Sequence, residues 1–214
     1  MRRVCVVGNS GSGKSTLAAA LAGHLGASYL ELDSVFHQPD WQPLERELFR
    51  ERVDEFTQAP TWVVDGNYSA VRDIVWSRVD TVVWLDLPRH KVMRQLLGRT
   101  LRRMATGAEL WNGNRERWQN LFRFDPEESI LVWAWTKHAA YRQRYLDAMA
   151  DPANSHLNFI RLRSRKESAA LLADLRRSAP GQSAPGQSAP GRSYPGQSDL
   201  RPSEPRPSDP RLTD

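Results

Sequence analysis

Four apolar residues in a row, Val4-Cys5-Val6-Val7, stand between a pair of arginines and a glycine. An unbroken apolar run of that length predicts a strand covered on both faces, as in a parallel sheet. Similar short runs return at residues 28–32, 62–64, 81–85 and 159–162. The segments between them carry helical spacing instead. Leu17, Leu21 and Leu25 fall four apart over residues 14–25, and Gly26 supplies a stop. Residues 44–58 place Leu48, Val53 and Phe56 on one side. Pro88 opens a long helix with an expected apolar stripe of Met93, Leu96, Leu97, Leu101 and Met104. Trp133 and Trp135 sit in a run expected to pack another helix on the sheet, and a last helix is expected over about 166–177. Strands alternating with helices predict an α/β fold: a five-stranded parallel sheet between helical layers, joined by right-handed crossovers.

Composition changes the picture at one end. From Ser178 a five-residue beat runs SAPGQ, SAPGQ, SAPGR, SYPGQ, and 8 of the 14 prolines fall there. Only Tyr194, Leu200 and Leu212 offer sizeable apolar surface, too little to offset the entropy of ordering. Residues 178–214 are therefore expected to be a disordered, partly polyproline-II tail, and residues 1–177 one domain. The tail's four arginines cancel its four acids, so the net charge of +5 belongs to the domain. A single cysteine, Cys5, rules out an intrachain disulfide, and no apolar run approaches membrane-spanning length. The expectation is a cytoplasmic protein.

The sharpest chemical signal is GNSGSGKS, residues 8–15, which fits G-x-x-x-x-G-K-S/T without departure. Gly8, Gly11 and Gly13 let the backbone curl so that the N–H groups of this loop, through Asn9, Ser10 and Ser12, face anionic oxygens. The helix that follows adds its positive end beside Thr16. Lys14 can then reach the β- and γ-phosphates of ATP, and the Ser15 hydroxyl can ligate Mg²⁺. The position between a buried strand and a helix is what that mechanism requires.

Three of the expected strands are followed by aspartate. Asp86 is read as a second Mg²⁺ ligand, with a helix cap as the alternative. Asp33 and Asp65 are read as acceptor-side residues that bind or deprotonate a hydroxyl, with local turn roles as the alternative. His37, Trp41, Asn67 and Tyr68 are candidates to line the acceptor pocket. Between Arg89 and Arg123 nine basic residues face two acids. Arg99 and Arg103, four apart, are expected on a lid over about 99–128 that closes on the nucleotide and steadies the transferring phosphoryl group. A solvated helix face and a nucleic-acid surface, with Arg115, Arg117 and Arg123 interleaved with Trp111 and Trp118, are the rival readings.

With those residues in place, the chain resembles adenylate-kinase-like P-loop kinases, and more narrowly the bacterial DNA topology modulation proteins. The resemblance rests on GNSGSGKST at 8–16, Leu32-Asp33 followed by Pro39 and Trp41, VVDGNYS at 63–69, VVWLDLPR at 82–89 and RLRSRKE at 161–167. It implies a P-loop NTPase three-layer αβα fold with ATP on residues 8–16 and a helical lid insert. Adenylate kinases follow the third strand with Asp-Gly-Phe-Pro-Arg. Here Asp65-Gly66 is kept, but Asn67, Tyr68 and Ser69 come next and the first arginine is Arg72. The arginine expected after the second strand is also displaced, to Arg46, which argues against AMP as acceptor. Asp33 resembles instead the hydroxyl-binding aspartate of small-molecule kinases such as shikimate kinase. The resulting expectation is transfer of the γ-phosphoryl of MgATP to a small-molecule acceptor. The alternatives are a nucleotide-binding regulator linked to DNA topology, without such an acceptor, and a plain ATPase.

Overall fold

In the computed structural model, the described residues are 1–107, 109–114 and 130–178. The expected tail beyond Ser178 lies outside them, as do Arg115, Arg117, Trp118 and Arg123 of the expected lid and the side chains of Trp133 and Trp135.

All five strands form, and all run parallel. They are β1 (Arg3–Gly8), β2 (Ser28–Glu31), β3 (Trp62–Asp65), β4 (Thr81–Leu85) and β5 (Asn158–Leu162), in the order β2-β3-β1-β4-β5. The phosphate-loop strand is therefore central, with β3 on one side and β4 on the other. Register sets Val6 opposite Asp65 and Gly8 opposite Leu85, so the loops after β1, β3 and β4 emerge at one edge. Ligands of such sheets bind beyond that edge.

Strand alternation sorts the core into two faces. Val4, Val6, Val63, Val83, Leu85 and Leu162 pack with Leu17 and Leu21 of α1 (Lys14–Leu25), and α7 (Arg165–Ser178) leans on them through Leu171, Leu172 and Leu175. Cys5, Val7, Trp62, Val64 and Trp84 face the other way. There they meet Phe49, Val53 and Phe56 of α3 (Arg46–Thr57), Val75 of α4 (Arg72–Arg78) and Tyr145 of α6 (Ile130–Ala150). Two helical layers around one sheet are the expected architecture. Burial pushes the Cys5 thiol up to about 12, so it acts as a small core residue rather than a nucleophile.

Three local expectations are corrected. The first concerns α3, which begins after Glu45, whose carboxylate accepts from the Glu47 and Leu48 N–H groups at 3.1 and 3.0 Å. That start turns Phe49, not Leu48, into the core with Val53 and Phe56; Leu48 is 38% exposed. In α5 (Arg89–Thr106) the buried stripe is Val92, Leu96 and Thr100, while Leu97 and Leu101 stand exposed. The helix follows the i, i+4 line that meets the phosphate loop rather than the richest apolar count. Finally, β2 stops at Glu31, and Asp33 lies in the first turn of the short helix α2 (Leu32–Phe36).

Candidate functional site

The loop after β1 carries backbone that only glycine adopts readily. Gly11 has φ 80°, and a methyl group there would stand 2.8 Å from Leu96 Cβ, so α5 packs directly on the loop. Gly13, at φ 93°, caps α1. Inside the curl the Ser12 N–H donates to the Asn9 carbonyl at 3.0 Å, and the Ser10 N–H donates to Asn9 Oδ1 at 2.9 Å. The Ser12 hydroxyl is buried and has no hydrogen-bond partner. Above the loop, Arg99 of α5 donates to Ser10 Oγ at 3.3 Å. Arg103 lies one turn further along the same helix, and Thr16 is exposed on the first turn of α1.

Lys14 bends back over the ends of β2 and β3. Its Nζ is 3.9 Å from Asp65 Oδ1 and 4.0 Å from Asp33 Oδ2. Asp65 is buried and neither carboxylate oxygen has a hydrogen-bond partner. Burial pushes its pKa up to about 6 against the opposing pull of Lys14. Asp33 is held by Tyr68, whose hydroxyl donates to Oδ1 at 2.6 Å. Burial first, then the Asp33 charge, raises the Tyr68 pKa, so this hydroxyl stays a donor. Its ring is wedged between Phe36 and Phe49 at 4.8 and 5.3 Å.

Glu31, which sequence reasoning did not single out, joins the two halves of the site. The Ser15 hydroxyl donates to Glu31 Oε1 at 3.0 Å, and the Trp111 indole N–H donates to Oε2 at 3.0 Å. The one available signal was its place at the end of β2, two residues before Asp33. Trp111 belongs to the insert after α5. It stacks on His37 at 5.8 Å and 20°, and Trp41 meets His37 edge-on at 5.3 Å. Burial lowers the His37 pKa, against the Asp33 charge. The insert is stapled down by amides. Asn114 donates to the Gln38 carbonyl at 2.9 Å and accepts from the Trp41 N–H at 2.9 Å, while Asn112 donates to the Ser34 and His37 carbonyls. Asp40, Trp41 and Asn112 all carry positive φ, between 56 and 59°. Backbone held in that region by surrounding contacts is a mark of functional sites.

No family model matches the chain. Among curated proteins, it is 27% identical to shikimate kinase of Synechococcus elongatus over 134 residues, 53% of this chain and 70% of that one. It is 28% identical to chloroplastic shikimate kinase 2 of rice over 110 residues, 44% of this chain but only 36% of the rice protein. Among solved structures, shikimate kinase from Bacteroides thetaiotaomicron superposes with a TM-score of 0.50 at 16% identity, covering 83% of this chain and 97% of the other. That superposition and the glycine-capped loop after a central parallel strand decide the architecture. The fold is that of a P-loop kinase. These matches bear on the kinase part of the resemblance read from the sequence.

Against the P-loop kinase fold, two site expectations change. Asp86 follows β4 on the face away from α1, as alternation with Leu85 dictates, and its Oδ2 accepts from Arg161 Nε at 2.9 Å and Arg142 Nε at 3.3 Å. A carboxylate held by two guanidinium groups is a poor metal ligand, so the Mg²⁺ reading for Asp86 is withdrawn. Asn67 is not an acceptor-pocket residue. Its amide accepts from the Gly8 N–H at 3.1 Å and donates to the Gly8 carbonyl, and Tyr145 donates to the same Oδ1 at 3.0 Å. It fixes where the phosphate loop begins. Of the lid expected over about 99–128, the described part holds Arg99 at Ser10 of the loop and bonds residues 112–114 to residues 34–41.

Proposed function

We propose that the chain is an ATP-dependent kinase that transfers the γ-phosphoryl group to a hydroxyl of a small molecule. One observation supports this most strongly: the phosphate-loop lysine sits within 4.0 Å of two carboxylates, one of them buried and without a hydrogen bond. Such a cluster gathers a phosphate binder and hydroxyl binders at one point. The similarity to shikimate kinases, which extends over 53% of the chain, supports a hydroxylated acceptor.

In this reading the N–H groups of residues 9–14 and the Lys14 ammonium cradle the phosphates, with Arg99 reaching the same oxygens from α5. Asp33, locked by Tyr68, orients the acceptor hydroxyl and takes its proton as that oxygen bonds the γ-phosphorus and the bond from the γ-phosphorus to the bridging oxygen breaks, releasing ADP. Arg103 sits ready to add charge as α5 and the insert settle. The residues present fit Mg²⁺. Ser15 supplies a hydroxyl whose proton already points to Glu31, and Asp65 is an orphaned buried oxygen donor. When bound, Mg²⁺ would neutralise charge on the phosphate oxygens. We further assign the insert to the acceptor side, where Trp111 and Trp41 would close over the substrate and exclude water.

The test is incubation with γ-labelled ATP and a panel of hydroxylated metabolites, beginning with shikimate. Label should appear in one acceptor class and vanish with Lys14→Ala. Transfer that survives in that variant would remove the assignment.

A further inference from the structure

The hydrogen bond from Tyr68 to Asp33 continues one residue further, into a ring that the insert packs against. Asp33 and His37 stand four apart across the short helix α2, and the His37 N–H closes that turn on the Asp33 carbonyl at 3.0 Å. The Tyr68 hydroxyl touches both side chains, 2.6 Å from Asp33 Oδ1 and 3.4 Å from His37 Nε2. Resting on the kinase reading above, we propose that His37 is a positioning residue for the base. Its Nε2–H engages the Tyr68 oxygen, directs the Tyr68 proton onto Asp33 Oδ1 and leaves Asp33 Oδ2 to receive the proton of the acceptor hydroxyl.

The direction of each bond follows from counting protons. A phenol has one proton and a carboxylate has none to give, so at 2.6 Å the Tyr68 proton points to Asp33. The same oxygen can then only accept from His37, which puts the ring proton on Nε2. Nδ1 is buried with no hydrogen-bond partner among the described residues, so no acceptor among them competes for that proton. Burial lowers the His37 pKa from the ordinary 6.5, against the Asp33 charge, and so favours the neutral ring with its single N–H.

The two oxygens of Asp33 are thereby divided between two tasks. Oδ1 is held by Tyr68, while Oδ2 lies 4.0 Å from Lys14 Nζ, the side from which the phosphate loop would present the γ-phosphorus. There Oδ2 takes the proton as the acceptor oxygen bonds that phosphorus and ADP leaves, and a carboxylate fixed in one orientation does this better than one free to turn. The imidazole is in turn held by rings. Phe36 and Trp41 meet it edge-on at 5.2 and 5.3 Å, and Trp111 stacks on it at 5.8 Å. Trp111 belongs to the insert, so the seating of the insert reaches the base through His37 and Tyr68.

Nitrogen-15 NMR of the full chain tests the bonding without any acceptor. His37 should show the shifts of a neutral Nε2–H ring. The Tyr68 hydroxyl proton should give a downfield, slowly exchanging line that moves in His37→Phe and returns in His37→Gln. Phenylalanine keeps a ring among the aromatic neighbours, and glutamine keeps an N–H donor. With γ-labelled ATP and the acceptor that takes label in the wild type, His37→Phe should lower kcat about tenfold with the KM for ATP unchanged, and His37→Gln should recover most of that loss. In a Tyr68→Phe background, His37→Phe should remove nothing further. An Nδ1–H ring in the wild type, a His37→Phe enzyme with wild-type kcat, or a full second loss on top of Tyr68→Phe overturns the proposal. No label in any acceptor, with the Nε2–H shifts intact, brings down the kinase reading and this role with it.

Discussion

Asp65 and Asp86 begin as the same sequence feature, an aspartate that closes an apolar run in a parallel sheet. Their fates are opposite. Asp65 lies beside Lys14, buried and without a hydrogen bond, and burial lifts its pKa to about 6. Asp86 is gripped by Arg161 and Arg142 on the other face. Which face a strand end offers, and which helix arrives there, decides whether a carboxylate is left for chemistry or used to hold other charges.

The comparison is broken most directly at the lysine. Lys14→Ala should lower kcat by about 10³-fold or more, the scale of losing a preorganised charge on a transferring phosphoryl group. Next comes Asp33, the carboxylate assigned to the acceptor hydroxyl. Asp33→Asn should reduce kcat by about 10²–10³-fold with a small change in the KM for ATP, read from initial rates.

Asp65→Asn sharpens the contrast through pH. The folded pKa of about 6 lies above the ordinary 3.8, so the folded state keeps a proton that the unfolded chain has released. Wild-type stability should therefore fall as pH rises from about 4 to 6, by about 2–3 kcal/mol at most, and the Asn variant should lack that fall. Urea midpoints across that range measure it. A flat wild-type profile would show that Asp65 is not held as described.

Asp86→Asn should behave differently. It should cost about 1–3 kcal/mol by stranding Arg161 beside Trp84, yet keep kcat within a few-fold. A collapse of kcat at unchanged stability would return Asp86 to the metal site. The smallest effect is expected from Asn114→Ala, which loosens the insert: a several-fold rise in acceptor KM, with the KM for ATP unchanged.

Much of this was legible along the chain. The strand runs, the helix from Lys14 to its glycine stop and the phosphate loop are local signals, and each formed where its pattern lay. Asp33 and Asp65 were legible as candidates because apolar runs end near them. Glu31 was not, because one glutamate at a strand end has no pattern. Its importance comes from Ser15, 16 residues away, and Trp111, 80 residues away. Leu48 and Leu97 were misplaced for a related reason. Periodicity gives the width of an apolar stripe, while the contact made elsewhere picks its centre.

The sequence by itself determined the alternation of strands and helices and the phosphate cradle, because both depend on neighbours within one turn or one strand. Only the tertiary structure decided which aspartate stays available, that Asn67 clamps Gly8 and that Asn112 and Asn114 bond to residues 34–41. Those outcomes depend on groups more than 50 residues apart meeting at one sheet edge, and strand order, not spacing along the chain, brings them there.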